Sequence, residues 1–415
     1  MEIIIHRGAT QIGGSVTEYR YNGWRLFVDF GEQLPGTPVY VQLDMEGLTK
    51  GDLSKSAMLI THYHGDHIGN IHQIPIEIPV FMGKLGIEIQ KITSNHLKEV
   101  DRKHACLLER LNKAIPFEAG TAFEFGPFEI MPIVLDHSAF DACAFKIKAD
   151  DTSVFHTGDF RTHGFRSGKF LKAIDKYIGK VDYVICEGTN VKRSDAALQS
   201  EHDLQKQLEA EFSQHKFNIV YLSSTNIDRL FSLYHAALRI GIPFIVDSHQ
   251  KRIMDAVVSS DHIWAESSLY KYGKYKPMVL KYDKDNPGEH LIREKFIAFL
   301  KQKGYVLIAR SNPRFDHLIN KMPGESKQCY LSMWNGYVSN PASPSYNKEL
   351  AAALGKGYLY RHTSGHCDMK NLRNLFAQLS PKAIIPIHTD APEAFAKLFN
   401  DQWPVRLLQD GDSFI

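Results

Sequence analysis

Thr61-His62-Tyr63-His64-Gly65-Asp66-His67 packs three imidazoles and one carboxylate into a single short loop. Neutral imidazole nitrogens and carboxylate oxygens are the borderline donors that Zn²⁺ or Mn²⁺ accept, and dense metal coordination rewards such crowding. The segment before it, Ser56-Ala57-Met58-Leu59-Ile60-Thr61, predicts a buried strand with a β-branched end. The segment after it, Ile68-Gly69-Asn70-Ile71, predicts the first turn of a helix. A His-x-His-x-Asp-His loop between strand and helix sets its side chains on one rim of a sheet. The bland alternative is a polar surface loop with chance histidines, and the density of ligand types weighs against it.

A dinuclear centre needs roughly four ligands per ion, usually with one bridging carboxylate. The loop supplies only four, so the remainder must come from other strand ends. His137 follows the apolar run Ile130–Leu135, Asp159 follows Val154–Thr157, and His388 ends Ala383–Ile387. Gly158, just before Asp159, permits a tight approach. Singly, each reads as a hydrogen-bonded turn residue. Together, in this order after the histidine loop, they read as a metal site.

The 415 residues suffice for two domains. The formal net charge of +2 demands no nucleic-acid partner. Its distribution says more: residues 191–360 hold 23 Lys+Arg against 17 Asp+Glu, leaving 26 against 30 elsewhere. A basic middle with acidic flanks hints at a polyanion-facing insert, although a solvated basic surface explains it as well. Five scattered cysteines without C-x-x-C spacing fit a reducing compartment. The start, Met1-Glu2-Ile3-Ile4-Ile5-His6, is too short and acidic for a secretory signal, and no run of about 18 apolar residues appears. A soluble, cytoplasmic protein is expected.

Residues 1–30 predict antiparallel strands with turns at Gly13-Gly14 and Asn22-Gly23. Strands then alternate with helices, the latter including Leu85–Asn112 and Phe170–Lys176. After Glu187 a helix over 199–216, a strand from Asn218, a helix Asp228–Gly241 and a strand Phe244–Asp247 set a βαβ rhythm, expected of a parallel sheet. The expected division is a first domain over 1–190, an insert over 191–360, and the return of the first domain over 361–415.

In motif order (Asp29, His62-x-His64-x-Asp66-His67, His137, Asp159, His388) the chain resembles the metallo-β-lactamase superfamily. That resemblance implies an α/β fold: an αββα sandwich carrying an inserted α/β domain built on a parallel sheet. It further implies His62, His64 and His137 on one ion, Asp66, His67 and His388 on a second, and Asp159 bridging. Asp29 would orient the ligand loop from behind, a role that fixes imidazole tautomer and angle. Cys186-Glu187-Gly188-Thr189-Asn190, Ser364-Gly365-His366 and Pro386-Ile387-His388-Thr389 resemble the three motifs of the β-CASP insertion. Gly158-Asp159-Phe160-Arg161 and Ser224-Thr225-Asn226-Ile227-Asp228-Arg229 look closest to ribonuclease J, and a histidine in the third motif accompanies RNA substrates in that family.

The function so implied is metal-dependent hydrolysis of RNA phosphodiesters by a hydroxide activated at two metals, with 5′-exonuclease action, endonuclease action or both. The cofactors expected are two divalent ions, Zn²⁺ with Mn²⁺ as the alternative. Asp66 and the two ions would position and deprotonate the water, and His366 would act as general acid or phosphate ligand. Glu187 would hold His366. Ser224, Thr225, Asn226 and Ser364 are candidates for phosphate capture, the first three also fitting an ordinary helix cap. Trp334 and Tyr337 could stack on a base, although core packing is the stronger expectation. His156 is assigned to structure. The expected partners are single-stranded RNA as substrate, no membrane, and a second copy in a homodimer. Ribonuclease J carries a further C-terminal domain, which this sequence, ending at Ile415, is expected to lack. Competing readings are a hydrolase of a small ester, lactone or thioester, a DNA-directed β-CASP nuclease, and a nucleic-acid-binding protein without catalysis.

Overall fold

A computed structural model describes residues 1–37, 44–193, 198–280 and 294–414. The chain divides into two compact units, Met1–Leu198 with Gly365–Ile415, and Gln199–Ser364.

The first unit is an αββα sandwich. One sheet has seven strands in the order Ser413–Phe414, Glu2–Arg7, Val16–Tyr21, Trp24–Val28, Ser56–Leu59, Val80–Gly83 and Ile115–Phe117. The Asn22-Gly23 turn joins two of these strands with φ of +49° and +77°, values that suit a two-residue hairpin of type I′. Pairing turns parallel at Ser56–Leu59, which places the carboxyl ends of Trp24–Val28 and Ser56–Leu59 side by side. The second sheet runs Ala383–Ile387, Tyr183–Glu187, Thr152–His156, Cys143–Ala149, Phe128–Val134 and Phe123–Phe125. Alternate residues of both sheets, among them Ile3, Leu26, Leu59, Phe145, Val154 and Ile385, form the apolar layer between them. Helices Met369–Leu379 and Pro392–Phe399 cover the outer face of the second sheet through Leu375, Phe376 and Phe395.

Two predicted helices are interrupted. Leu85–Asn112 is two helices, Lys84–Leu97 and Lys103–Asn112, because Asp101 turns its carboxylate onto the Lys103 N–H at 3.0 Å and restarts the chain. Phe170–Lys176 is α-helical only over Phe170–Ala173. It then widens into a π turn, Ile174–Ile178, which ends at Gly179 with φ +62°.

The second unit holds a six-stranded sheet, Met278–Leu280, Phe244–Asp247, Tyr305–Ala309, Phe217–Tyr221, Gln328–Leu331 and Leu359–Tyr360, in which every pair is parallel. Near-continuous apolar strands such as Tyr305–Ala309, buried throughout, are what a sheet covered on both faces requires. Helices Glu201–Gln214 and Ile227–Ile240 are clamped by Arg229, which donates to both carboxylate oxygens of Glu201 at 3.0 and 2.9 Å. Core packing of Trp334 and Tyr337 does not hold. The strand stops at Leu331, and both rings lie beyond it, 46% and 40% exposed and edge-to-face at 5.4 Å.

Candidate metal centre

The ligand loop leaves strand Ser56–Leu59 at its carboxyl end and closes into one helical turn, Gly65–Ile68. His67 and Ile68 bond back to the His64 carbonyl at 3.0 Å, which turns His62, His64, Asp66 and His67 toward a common side. Gly31 lies so close beneath that a Cβ there would stand 1.7 Å from the Asp66 carbonyl oxygen. Gly158, at φ +54°, carries the Asp159 loop in against Thr61. His388 follows the buried strand Ala383–Ile387 at φ +51°, anchored by its N–H to the Gly8 carbonyl at 2.8 Å.

These turns bring the predicted ligands together. His62 Nε2 lies 3.1 Å from His64 Nδ1, and His137 Nε2 lies 3.2 Å from the same atom. His67 Nε2 faces Asp159 Oδ2 at 3.2 Å, and His388 Nε2 stands 3.3 Å from Asp66 Oδ2 and 3.6 Å from Asp159 Oδ2. Ligand atoms of His62, His64 and His137 all fall within 4.8 Å of one another, as do those of Asp66, His67 and His388. Asp159 groups with His62 and His67 on one side, and with Glu187, His366 and His388 on the other.

Three imidazoles are prepared as electron-pair donors. Burial, with neighbouring imidazoles adding to it, drives His62 and His137 well below the usual histidine range. Burial likewise lowers His64 to about 4. At neutral pH these rings are uncharged, as ligands must be. Burial would lower His67 too, but the carboxylates of Asp159 and Asp29 outweigh it and raise its pKa. Asp159 is depressed because the surrounding histidines overcome the desolvation that would raise it. Asp159 Oδ1, in a residue only 4% exposed, has no hydrogen-bond partner among the described residues. Such an orphaned buried acceptor is costly unless something binds it. With this nitrogen and oxygen donor set, it makes the residues fit a divalent metal.

A ring of partners fixes the ligands. Asp29, at φ +62°, accepts from the Thr61 N–H and hydroxyl, both at 2.8 Å, and from His67 Nδ1 at 2.7 Å. Sequence reasoning missed three others. Thr61 Oγ1 lies 3.0 Å from His62 Nδ1, Thr189 Oγ1 lies 2.8 Å from His388 Nδ1, and the Gly365 carbonyl accepts from His137 Nδ1 at 2.6 Å. The only hint was a hydroxyl beside the first ligand and another inside the Glu187 motif. His156 is structural as expected: buried, it meets the Tyr19 hydroxyl at 2.9 Å.

Glu187 ends strand Tyr183–Glu187. Its Oε1 accepts from the Cys367 N–H at 2.9 Å and its Oε2 from the Thr189 N–H at 3.1 Å. Oε2 stands 3.3 Å from His366 Nδ1. Burial would lower the His366 pKa, but Glu187 and Asp159 raise it to about 9. The remaining candidates belong to the inserted unit. Ser224, Thr225 and Asn226 sit between strand Phe217–Tyr221 and helix Ile227–Ile240, where the Asn226 side chain caps the helix by accepting from the Arg229 N–H at 3.2 Å. Thr225 Oγ1 is 2.9 Å from Ser223 Oγ, Ser224 is buried, and Ser364 is the unit's last residue.

A sandwich whose strand ends gather histidines and carboxylates in this order suits a metallo-hydrolase and is similar to the metallo-β-lactamase superfamily with a β-CASP-type insertion. Residues 359–408 match the family model described as the Zn-dependent metallo-hydrolase RNA specificity domain. In sequence the chain is ribonuclease J-like. It is 24% identical over 418 residues to Ribonuclease J of Sinorhizobium meliloti, covering 92% of this chain and 68% of that protein. It is 21% identical over 400 residues to Ribonuclease J of Mycoplasma genitalium, covering 92% and 66%. The chain thus spans about two thirds of the length of these relatives. A crystal structure of a protein of unknown function from Enterococcus faecalis V583 shares the fold, with a TM-score of 0.74 at 17% identity over 100% of this chain and 99% of that one.

Proposed function

We propose that the protein is a metal-dependent ribonuclease that hydrolyses RNA phosphodiester bonds, as a 5′ exonuclease, an endonuclease or both. The observation that carries this reading is the convergence of seven ligand-type residues with the Glu187–His366 pair at one rim of the first unit. RNA as the substrate is supported by the RNA-specificity description of the model matched at 359–408, and by the ribonucleases the chain resembles. Two divalent ions, Zn²⁺ or alternatively Mn²⁺, would supply Lewis acidity and lower the pKa of water.

In this reading His62, His64 and His137 would hold one ion, Asp66, His67 and His388 the other, and Asp159 would serve both. Asp66 orients the attacking water and accepts its proton. His366, steadied at Nδ1 by Glu187, presents Nε2 to the leaving oxygen and protonates it. Ser224, Thr225, Asn226 and Ser364 are assigned to the substrate's phosphates. Single-stranded RNA in the cytoplasm is the expected substrate and a homodimer the expected assembly.

The test incubates the metal-loaded protein with 5′-monophosphate and 5′-hydroxyl labelled RNAs, the matching DNA, a simple ester and a lactam. Mononucleotides from RNA indicate exonuclease action, and discrete fragments indicate endonuclease action. Turnover of only the ester or lactam, or of DNA in preference to RNA, contradicts the proposal.

A further inference from the structure

Lys271-Tyr272-Gly273-Lys274-Tyr275-Lys276 alternates cations with aromatic rings and contains no acid. Its first half serves the fold. Lys271 Nζ donates to the Val258 carbonyl at 3.0 Å, and the Tyr272 hydroxyl donates to Asp255 at 2.9 Å. Gly273 crosses helix Ile227–Ile240 so closely that a Cβ would meet Leu238 Cδ2 at 2.4 Å. The Gly273 N–H donates to the Tyr234 hydroxyl at 2.7 Å, and that hydroxyl donates to the Tyr275 carbonyl, also at 2.7 Å. With its backbone pinned from below, the second half is left on the surface, where Tyr275 is 61% exposed.

That second half borders a cavity of about 420 Å³ whose apolar lining includes Tyr234, Leu238 and Phe244. Phe299, from helix Glu294–Lys303, forms another part of its lining and is itself exposed. Lys274, Lys276 and Lys303 line the cavity, and no carboxylate does so among the described residues. Its size falls in the roughly 300–1,000 Å³ of small-molecule sites. The aromatic and aliphatic lining selects a flat apolar body, and the three ammonium groups select negative charge around it. Single-stranded nucleic acid joins those two properties, since every base has a π face and every linkage a phosphate. A folded protein surface or an acidic peptide satisfies the lysines but leaves the apolar lining without a planar occupant.

We propose that this cleft of the inserted unit is a single-stranded RNA contact, taking one base against Tyr275 and Phe299 and the flanking phosphates on Lys274, Lys276 and Lys303. The inference rests on the ribonuclease reading, and it adds a site to which neither the metal ligands nor the Glu187–His366 pair contributes.

The experiment measures binding of a fluorescent single-stranded oligoribonucleotide to the full chain across a salt series, in an Asp66→Ala/His67→Ala background that limits cleavage. Lys274→Gln/Lys276→Gln/Lys303→Gln is expected to make the slope of log affinity against log salt shallower by about 2, at roughly 0.7 per phosphate contact on a single strand. Tyr275→Ala is expected to weaken binding by about 5- to 150-fold, the loss of one stacked base, and to leave the salt slope in place. An unchanged slope in the triple variant, or unchanged affinity in Tyr275→Ala, overturns the inference. If the protein with intact metal ligands still cleaves RNA in that event, the ribonuclease reading stands and only the cleft assignment falls. If that protein does not cleave RNA, the ribonuclease reading fails independently.

Discussion

At Asp29 one carboxylate accepts three hydrogen bonds, two from Thr61 and one from His67 Nδ1, so a residue outside the ligand set decides how two ligand rings stand. Asp29→Asn keeps the shape but can set an amide N–H against His67 Nδ1. Loss of metal affinity by about 10- to 100-fold, with the far-ultraviolet spectrum unchanged, is the expected outcome of chelator competition. Affinity within twofold of the parent would remove Asp29 from this role. His156 offers a second residue-level test, because burial lowers its pKa to about 4. Its ordinary value is near 6.5, so between pH 6.5 and 4 the unfolded chain binds a proton that the folded chain refuses, and stability falls as pH falls. Relative to His156→Gln, the parent should lose about 2–3 kcal/mol between pH 7 and pH 4.5 in urea unfolding. A constant difference across that range would contradict the assignment. The candidate ligands were legible as a group because their types crowd in one loop and recur at strand ends. Thr61, Thr189 and the Gly365 carbonyl were not, since a hydroxyl or a carbonyl gains its meaning only from the ring that tertiary structure places beside it.

Elements were readable where period and turn chemistry agree, as in the Asn22-Gly23 hairpin and the buried strands Phe244–Asp247 and Ala383–Ile387. They misled where a local polar bond overrides periodicity, as at Asp101, and where a strand ends one turn before its aromatics, as at Trp334. Between helices the informative residue is Arg229, wholly buried with Glu201. Arg229→Met leaves a buried carboxylate without its cation and should destabilise the protein by about 3–5 kcal/mol. Adding Glu201→Leu should restore most of that loss, because an apolar pair of similar volume replaces a buried ion pair at little cost. Chemical denaturation of the parent, single and double variants decides it. No recovery in the double variant would mean that Arg229 is held chiefly for its other bonds, those to Ser332 and to the Arg361 carbonyl.

Over the whole molecule, the histidine loop pointed to a metal hydrolase and was silent on the substrate. Asp159 and His388 complete the cluster because two separate strands end at the same rim, a coincidence no local window reveals. What turns the reading toward RNA is the RNA-specificity model matched at 359–408 and the ribonucleases the chain resembles, with which the basic balance of residues 191–360 is compatible. Cleavage of 5′-labelled RNA by the metal-loaded protein, compared with its Asp66→Ala/His67→Ala variant at equal folded concentration, tests the joined claim. The parent should degrade the RNA, while the variant should lose bound metal and at least about 100-fold in rate, the scale on which metal assistance and acid–base catalysis act. A variant that degrades RNA as fast as the parent would contradict the account.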